Sequence, residues 1–491
     1  MAQVRIQQVR KQAPRLNRAA PVKIRVFGDD GNQPVPGGKV MDDPTFKYLA
    51  QKTNTDLDWS FLPHAQYGEQ MRIKFASGDM PDVVQSWGDD FDLIKNNQVI
   101  ALNEYIDKYG PNLKKSISQA AWDEVTINGK IMRIPEGQLG NANVNRIMYV
   151  RKDWMDKVGI TTPPKTPDEF LNMLRAFRDK DPNGNGKPDE LPISAREKID
   201  WLDCVFSMFG ADYYTANLVN GEVMPGIVTP NMKQALGFLR TLVDEKLIDS
   251  EFMTNKRNVW EQKIQNNLVG VWVHAPALAW DWQDKLNKSL PGLGANVIAI
   301  PTPKAPGVLH SGDAIVAINK SFLVTKSAKD PAAIVKMFDW LASQEGQEFV
   351  NFGLPDVTFK KDGSNIAYDK QKDTTDKTVL WRSPTFNLVG FNKEIAKVQL
   401  GSQEAVDKME SVYKIAANEG IKRLLSGMPP GKNAAKPELQ WNGSLFQEAA
   451  AQIILGKKPL DYFDTFVKDW RAQGGDQEIK DETEYYNSKQ K

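Results

Sequence analysis

The chain has very little cysteine and histidine, and this excludes several kinds of site. One cysteine, Cys204, stands among 491 residues, so neither an internal disulfide nor a cysteine-based metal cluster can form. Cys204 lies in the apolar segment 201–206, which predicts a buried, unreactive thiol. The three histidines (His64, His274 and His310) are far apart in sequence and fit no HExxH pattern, so a zinc site is not expected.

Excess charge and long apolar runs are absent too. Lys and Arg number 63 against 62 Asp and Glu, a net charge of +1, so we expect neither nucleic acid nor a membrane surface as the main partner. No run of 18 apolar residues could form a membrane-spanning helix. No GxSxG or HExxH motif occurs, and segment 427–433 is one residue short of a P-loop.

Residues 1–21 form a basic arm. The arm has five Lys and Arg, no acidic residue, and no apolar stretch of the kind that a signal peptide needs. Either the chain is a mature form that begins with an added Met, or the protein is cytoplasmic. We expect the arm to be disordered rather than a tail that binds nucleic acid.

Strand and helix patterns alternate along the chain. Segments 22–27, 57–62 and 82–85 predict strands, with predicted helices at 43–53 and 67–77 between them. This order is typical of a doubly wound α/β lobe. It recurs after residue 146, where Thr166 and Pro167 form a helix start. The length favours two or three domains, and since no linker separates them, two lobes joined by several crossing segments fit best.

Segment 181–190 has the pattern of a calcium loop. Ca²⁺ takes six to eight oxygen ligands, and alternate positions of a tight loop point inward to supply them. Position 12 of an EF-hand would hold Glu, but Pro192 stands there, so acidic residues at positions 9 and 10 must complete the shell. The alternative is a solvated Asn-Gly turn. The predicted ligand residues are Asp181, Asn183, Asn185, Lys187 (through its carbonyl), Asp189 and Glu190.

Three segments resemble a known family. Segment 75–84 (FASGDMPDVV) looks like a helix-to-strand turn of the extracellular solute-binding proteins. Segment 149–170, which contains RKDW and PDEF, and segment 453–486 are similar to parts of their oligosaccharide-binding branch. The resemblance spans roughly residues 22–486 and rests on the order and spacing of the motifs. The nearest groups are alginate-binding proteins and Gram-positive lipoproteins of complex-sugar importers.

The resemblance implies an extracytoplasmic receptor of an ABC importer, in the periplasm or anchored at the cell surface. Such a receptor binds an oligosaccharide, with acidic, uronate-containing sugars among the candidates, and delivers it to transmembrane permease subunits without catalysis. We expect a monomer, and the resemblance supports structural calcium in the loop. The lipidated cysteine of Gram-positive relatives is missing near Met1, so an anchor is either trimmed or absent.

The implied fold is α/β, with two lobes that each contain a mixed sheet flanked by helices, and a ligand cleft between them. We place the N-lobe at residues 22–140 with about 306–375. The C-lobe then comprises residues 141–305 with about 376–491. Hinge crossings are predicted near 141–146, 301–317 and 354–386, where Pro, Gly and polar residues interrupt the regular elements.

Tryptophan is frequent, with 13 residues, and its rings suit the apolar C–H faces of sugars. Open α/β sheets bind ligands beyond their strand ends, which favours rings that follow strands or lie among turns. Trp154, Trp340 and Trp470 are predicted to be core. Cationic residues could bind a sugar carboxylate or form ordinary ion pairs, and both readings remain open. The predicted substrate-binding residues are Trp87, Arg196, Trp201, Trp272, His274, Trp280, Trp381 and Arg382.

Two alternative functions are an enzyme that acts on glycans and a receptor for peptides. A glycoside hydrolase would use a pair of carboxylates, but with 62 acidic residues the spacing alone identifies no pair. A peptide-binding receptor of the same superfamily would favour pockets that pair with the peptide backbone over stacked indoles.

Overall fold

The computed structural model describes residues 20–88, 92–137, 144–425, 428 and 436–490. Most of the predicted basic arm and most of segment 427–433 lie outside these residues. The strands are β1 (Val22–Asp29), β2 (Thr55–Leu62), β3 (Val83–Ser86), β4 (Thr126–Ile127), β5 (Lys130–Ile131), β6 (Ile134–Gly137), β7 (Ile147–Arg151), β8 (Leu191–Ile193), β9 (Ala216–Val219), β10 (Glu222–Pro225), β11 (Val269–His274), β12 (Val297–Ile300), β13 (Ile318–Val324), β14 (Phe359–Asp362) and β15 (Asn365–Tyr368).

The α-helices are α1 (Pro44–Thr53), α2 (Tyr67–Ala76), α3 (Asn103–Tyr109), α4 (Pro111–Ser116), α5 (Gln119–Glu124), α6 (Lys152–Lys157), α7 (Pro167–Asp179), α8 (Asp203–Ser207), α9 (Pro230–Asp244), α10 (Arg257–Gln265), α11 (Ala279–Ser289), α12 (Pro331–Ala342), α13 (Gln344–Phe352), α14 (Lys370–Thr375), α15 (Thr378–Phe386), α16 (Lys393–Leu400), α17 (Gln403–Ala416), α18 (Ser444–Ile454), α19 (Tyr462–Trp470) and α20 (Asp476–Lys489). Within the described ranges, none of the helices has the length and apolar character that crossing a membrane requires.

The first lobe contains a five-stranded mixed sheet in the order β2-β1-β3-β13-β6. Strands β1, β2 and β3 are parallel, and β13 runs antiparallel between β3 and β6. Helix α1 makes the crossover from β1 to β2, and Asp43 caps it by accepting a hydrogen bond from the Thr45 amide. The predicted strand–helix–strand order of this lobe is therefore confirmed.

The second lobe contains a four-stranded mixed sheet in the order β12-β7-β11-β8. Strand β7 is antiparallel to both neighbours, while β8 and β11 are parallel. Helix α7 begins as predicted, because the Thr166 side chain accepts from the Glu169 amide and Pro167 occupies the first turn. Its apolar face buries Phe170 and Phe177 in the core of this lobe.

The packing places the C-terminal third of the chain differently from the predicted lobe boundaries. Helix α15 belongs to the first lobe, because the Trp381 ring stacks on Phe46 at 5.6 Å and Phe386 packs on the same ring at 5.3 Å. Leu388 is still part of that core. Helix α17 then packs on α11 and β12 of the second lobe. Segment 354–386 is therefore no crossing, and the change of lobe follows Leu388 rather than residue 375.

The other two predicted crossings coincide with the connections from β6 to β7 and from β12 to β13, although residues 141–143 lie outside the described ranges. Val144 pairs with Ile315, and Ala314 pairs with Ile421, so three chain segments meet here. Gly420 is required at this point, since a Cβ atom on it would lie 2.7 Å from the Ile315 side chain. The role of these paired segments as a hinge stays a prediction.

Candidate functional site

One edge of each sheet faces the other lobe. Strand β6 is antiparallel to β13 and therefore ends at the same edge as β1, β2 and β3. Likewise β12 ends at the same edge as β8 and β11. Strand β6 is followed by β7 of the second sheet, and β12 is followed by β13 of the first. Val144 and Ile315, one from each connection, pair with each other, which brings the two edges together. The loops after these strands form a cleft between the lobes, which is where open α/β sheets bind ligands.

On the first lobe, one buried carboxylate orients two rings. Asp29 ends β1, and its side chain is only 1% exposed. Its Oδ2 accepts a hydrogen bond from Trp87 Nε1 at 2.7 Å and lies 2.8 Å from His64 Nδ1. The rings of Trp87 and His64 meet edge to face at 6.1 Å. His64 follows β2 and Trp87 follows β3, so three neighbouring parallel strands supply this group.

Trp87 remains 43% exposed although its indole N–H is bonded to a buried acceptor. A large exposed ring without a hydrogen bond takes many orientations in water, but this hydrogen bond fixes the orientation of the Trp87 indole. Holding the ring in place before a ligand arrives lowers the entropy that binding costs. The predicted placement of Trp87 beyond a strand end agrees with this geometry.

On the second lobe, Trp201 lies between two arginines. The guanidinium of Arg146 is 4.1 Å from the ring centre and that of Arg196 is 3.8 Å away. Asp203 holds Arg146 by an ion pair of 2.5 Å, and Glu197 holds Arg196 at 2.8 Å. Both cations are therefore already paired. Trp201 and Arg196 follow β8, but the ring carries protein groups on its surface and is a poorer platform than Trp87.

Beside this group lies a cluster of aromatic rings. Tyr214 is 4.4 Å from Tyr213 and 4.7 Å from Trp441, measured between ring centres. Arg146 Nη2 donates to the Tyr214 hydroxyl at 3.3 Å. The three rings line a cavity of about 290 Å³, which Glu124 of the first lobe also lines. This cavity thus opens between the two lobes, and its size is at the lower end for ligand pockets.

Two predicted stacking platforms are wrong, since both rings are buried. Trp272 is 0% exposed in β11, with Tyr149 6.0 Å away and Trp282 5.5 Å away. Trp381 is 3% exposed within the first-lobe core described above. Neither ring has a free face for a sugar.

Two predicted cationic contacts are wrong for related reasons. Arg382 is fully buried and forms two hydrogen bonds to Asp373, at 2.8 and 2.6 Å, so its charge is used within the first lobe. His274 is buried against Trp201 and Trp282. Burial, followed by the charge of Arg196, lowers its pKa to about 3, so it stays neutral and cannot pair with a carboxylate.

The remaining tryptophans take a mixed set of positions. Trp280 is half-buried on α11 and packs against the second-lobe core, so its contact with a ligand stays a prediction. Trp154 and Trp470 are fully buried, as predicted. Trp340 is only half-buried; its Nε1 donates to Glu345 at 3.1 Å on the helical face of the first lobe.

The predicted calcium loop closes around Asp181. Its Oδ1 accepts from the Asn185 amide at 3.1 Å and its Oδ2 from the Gly186 amide at 2.9 Å. The side-chain amides of Asn183 and Asn185 donate to Asp189 at 2.9 and 3.0 Å. Asp181, Asn183, Asn185 and Asp189 therefore converge, and the carboxylates of Asp181 and Asp189 accept hydrogen bonds from amides of the same loop.

Glu190 is the unsatisfied member of this loop. It is 9% exposed, and its Oε1 is buried without a hydrogen-bond partner among the described residues. Burial raises its pKa, and the nearby Asp181 and Asp189 raise it further. Over the described ranges, no three His, Cys, Asp or Glu side chains are arranged to hold a metal ion. The side chains of this loop nevertheless carry oxygen atoms of the kind that a hard cation binds, and Oε1 of Glu190 lacks a partner among the described residues.

Sequence reasoning did not select several residues of the cleft: Asp29, His64, Arg146, Tyr214 and Trp441. A signal existed for Asp29 and Arg146, because each stands next to a recognisable strand at its cleft end. Tyr214 and Trp441 gave no local signal, since they come together from distant segments of the chain.

The fold and the cleft define a two-lobed binding protein. The chain belongs to the bacterial extracellular solute-binding protein family, whose model matches residues 37–348. This confirms the membership that the motifs predicted.

Relatives extend the match over nearly the whole chain. Lipoprotein LipO of Bacillus subtilis is 25% identical over 472 residues, which cover 91% of this chain and 89% of LipO. The fructooligosaccharide ABC transporter substrate-binding protein FusA of Streptococcus pneumoniae is 30% identical over 266 residues, 49% of this chain and 47% of FusA.

Solved structures show the same fold. An HMO-binding, ABC-transporter-associated solute-binding protein of Bifidobacterium longum infantis has a TM-score of 0.71 at 19% identity, covering 96% of this chain and 99% of its own. FusA in complex with kestose has a TM-score of 0.65, and an EF-hand mutant of FusA with fructo-nystose one of 0.64, both at 20% identity over 95% of this chain and 99% of FusA. The predicted two-lobed α/β architecture is thereby confirmed.

Proposed function

We propose that this chain is the extracytoplasmic receptor of an ABC importer, and that it binds an oligosaccharide in the cleft and delivers it to transmembrane permease subunits as a monomer. The observation that carries the proposal is the exposed indole of Trp87, fixed by the buried Asp29 at the carboxyl ends of three parallel strands. A fixed, exposed ring suits the apolar face of a sugar. FusA, which resembles this chain in sequence and fold, is described as binding fructooligosaccharides.

The receptor releases its sugar unchanged in this proposal. FusA and the Bifidobacterium longum infantis protein are described as binding proteins, which supports this part of the proposal. An oligosaccharide panel followed by product analysis tests this point. Recovery of intact sugar supports a receptor, whereas shortened products would identify a hydrolase.

The proposal includes a structural Ca²⁺ in the loop, held by Asp181, Asn183, Asn185, the Lys187 carbonyl, Asp189 and Glu190. The support is the converging oxygen set and the buried, unpartnered oxygen of Glu190. A cation there would also relieve the mutual repulsion of three neighbouring carboxyl groups. For FusA an EF-hand mutant is described, which is consistent with such a loop in this family.

The test of the function is a ligand screen by thermal shift with confirmation by calorimetry. A ligand that binds only the folded state stabilises it by mass action and so raises the melting temperature. At a ligand concentration of 100 times Kd, the free energy of unfolding increases by about 2.7 kcal/mol. We expect stabilisation by at least one class of oligosaccharide and none by matched peptides. Stabilisation by peptides alone would show that the ligand is a peptide rather than a sugar.

A further inference from the structure

The cavity between the lobes has an acidic wall on the C-terminal helix. Glu478 and Glu482 lie one turn apart on α20 and so share one face of the helix. Both line the 290 Å³ cavity. Each has one carboxylate oxygen, Oε2, that is buried and has no hydrogen-bond partner among the described residues.

No cation of the described chain forms an ion pair with either glutamate. Arg423 also lines the cavity, but its side chain is exposed to solvent and it is no partner of Glu478 or Glu482 in the described ion pairs. Burial raises the pKa of both carboxyls, and the neighbouring Glu478 raises that of Glu482 further, to about 8. Without a partner these carboxyl groups favour their protonated, neutral form, whereas a cationic occupant would displace the protons and pair with the carboxylates.

A second polar group faces the same space without a partner. Thr215 lines the cavity and is only 7% exposed, and its hydroxyl has no hydrogen-bond partner in the described part of the chain. A ligand with several hydrogen-bond donors would satisfy this hydroxyl together with the two carboxylates.

Part of the cavity lining is aromatic. Tyr214 and Trp441, with ring centres 4.7 Å apart, line the same cavity as these acidic groups. Faces of such rings attract ammonium groups, and they also pack on sugar rings. Carboxylates and aromatic faces in one small cavity are the groups that bind a protonated amine on a ring.

We propose that this cavity binds the protonated amine of an amino-sugar unit, with Glu478 and Glu482 accepting hydrogen bonds from the ammonium group. The inference rests on the proposed function, because it makes the amine part of the bound oligosaccharide. This inference also changes the expected ligand from an acidic to a basic sugar, because Arg382 is paired with Asp373 and Arg196 with Glu197.

The test compares three β-1,4-linked disaccharides that differ in one group: glucosamine disaccharide with free amines, its N-acetylated form, and cellobiose. Calorimetry at pH 6.5 should show at least about tenfold tighter binding of the free-amine form than of the other two. Glu482→Gln keeps the shape but cannot form the carboxylate that pairs with the ammonium group, so it should reduce this preference to less than about threefold. Glu484→Gln, an exposed neighbour on α20, is the matched control and should leave the preference unchanged.

The outcomes separate this inference from the proposed function. Equal or tighter binding of cellobiose or of the acetylated sugar would overturn the amine site and leave the sugar receptor standing. A preference that survives in Glu482→Gln would also overturn it. Binding of ethanolamine without any of the sugars would keep an amine site and overturn the sugar receptor. Glu482→Gln should fold well, since it replaces a carboxyl group by a neutral amide of the same shape, and its melting curve checks this.

Discussion

The sharpest prediction concerns Trp87. Replacing it by Ala removes one exposed aromatic platform, which costs about 1–3 kcal/mol of binding free energy. This corresponds to a loss of roughly five- to 150-fold in affinity. Because the ring is 43% exposed and contributes little to a core, stability should change by less than about 1 kcal/mol. Asp29→Asn should weaken binding by a smaller factor, since it retains an acceptor for Trp87 Nε1 but loses the charge that strengthens the bond.

Two control variants make this result interpretable. Trp340→Ala removes another half-buried indole whose N–H is bonded to a carboxylate, on a helical face away from the strand ends, and should leave affinity unchanged. Trp272→Ala empties a fully buried site and should cost about 3–5 kcal/mol of stability. Calorimetry with the sugar found in the screen, and urea unfolding, measure both quantities. A loss below threefold in Trp87→Ala would show that the sugar binds elsewhere, while family membership would be unaffected.

Three further predictions address the loop, the hinge and pH. A calcium chelator should lower the melting temperature of the native chain without abolishing sugar binding, and the melting temperature of Asp181→Ala should no longer respond to the chelator. Identical melting curves at millimolar calcium and with the chelator would rule out a bound ion. Sugar should reduce the radius of gyration in small-angle scattering by closing the lobes, and an identical curve at saturation would indicate a rigid cleft. Burial raises the pKa values of Asp212 and Glu419 to about 7. Their contribution to the free energy of unfolding is therefore complete below about pH 4 and is lost as pH rises through 7. Urea unfolding between pH 5.5 and 8 should show this loss, and the change should be smaller in Glu419→Gln.

Local sequence signals predicted the elements well because their causes are local. Alternating residues marked β1 and β2, and the Thr166 cap marked the start of α7 within a residue. The predicted lobe boundary near residue 375 was wrong, because contacts with residues distant in sequence hold helix α15 in the first lobe. Trp381 packs on Phe46, which comes from the first crossover of the chain, and nothing near residue 381 encodes that partner.

The same distinction explains the errors in the site. Trp272 and Trp87 are both associated with strands in the sequence, but Trp272 lies within β11. Every residue of β11 is buried, because helices cover both faces of the sheet. Period-two alternation cannot reveal a ring whose two sides are both covered. Trp87 comes one residue after its strand ends, and that offset is what leaves it exposed. Position relative to the strand end therefore carried more information than residue type.

Both walls of the cleft are fixed before a ligand arrives, and this suggests how a ligand is recognised. On the second lobe, Arg146 donates hydrogen bonds to Asp203 and to the hydroxyls of Tyr213 and Tyr214, so its orientation is fixed. Breaking such a buried network would leave uncompensated charge, so this wall does not rearrange for a sugar. The first lobe offers an uncovered ring, Trp87, which a sugar can reach while the lobes are apart. Stacking there first, followed by closure onto the preformed second wall, keeps the ordering cost of binding low because neither wall must reorganise.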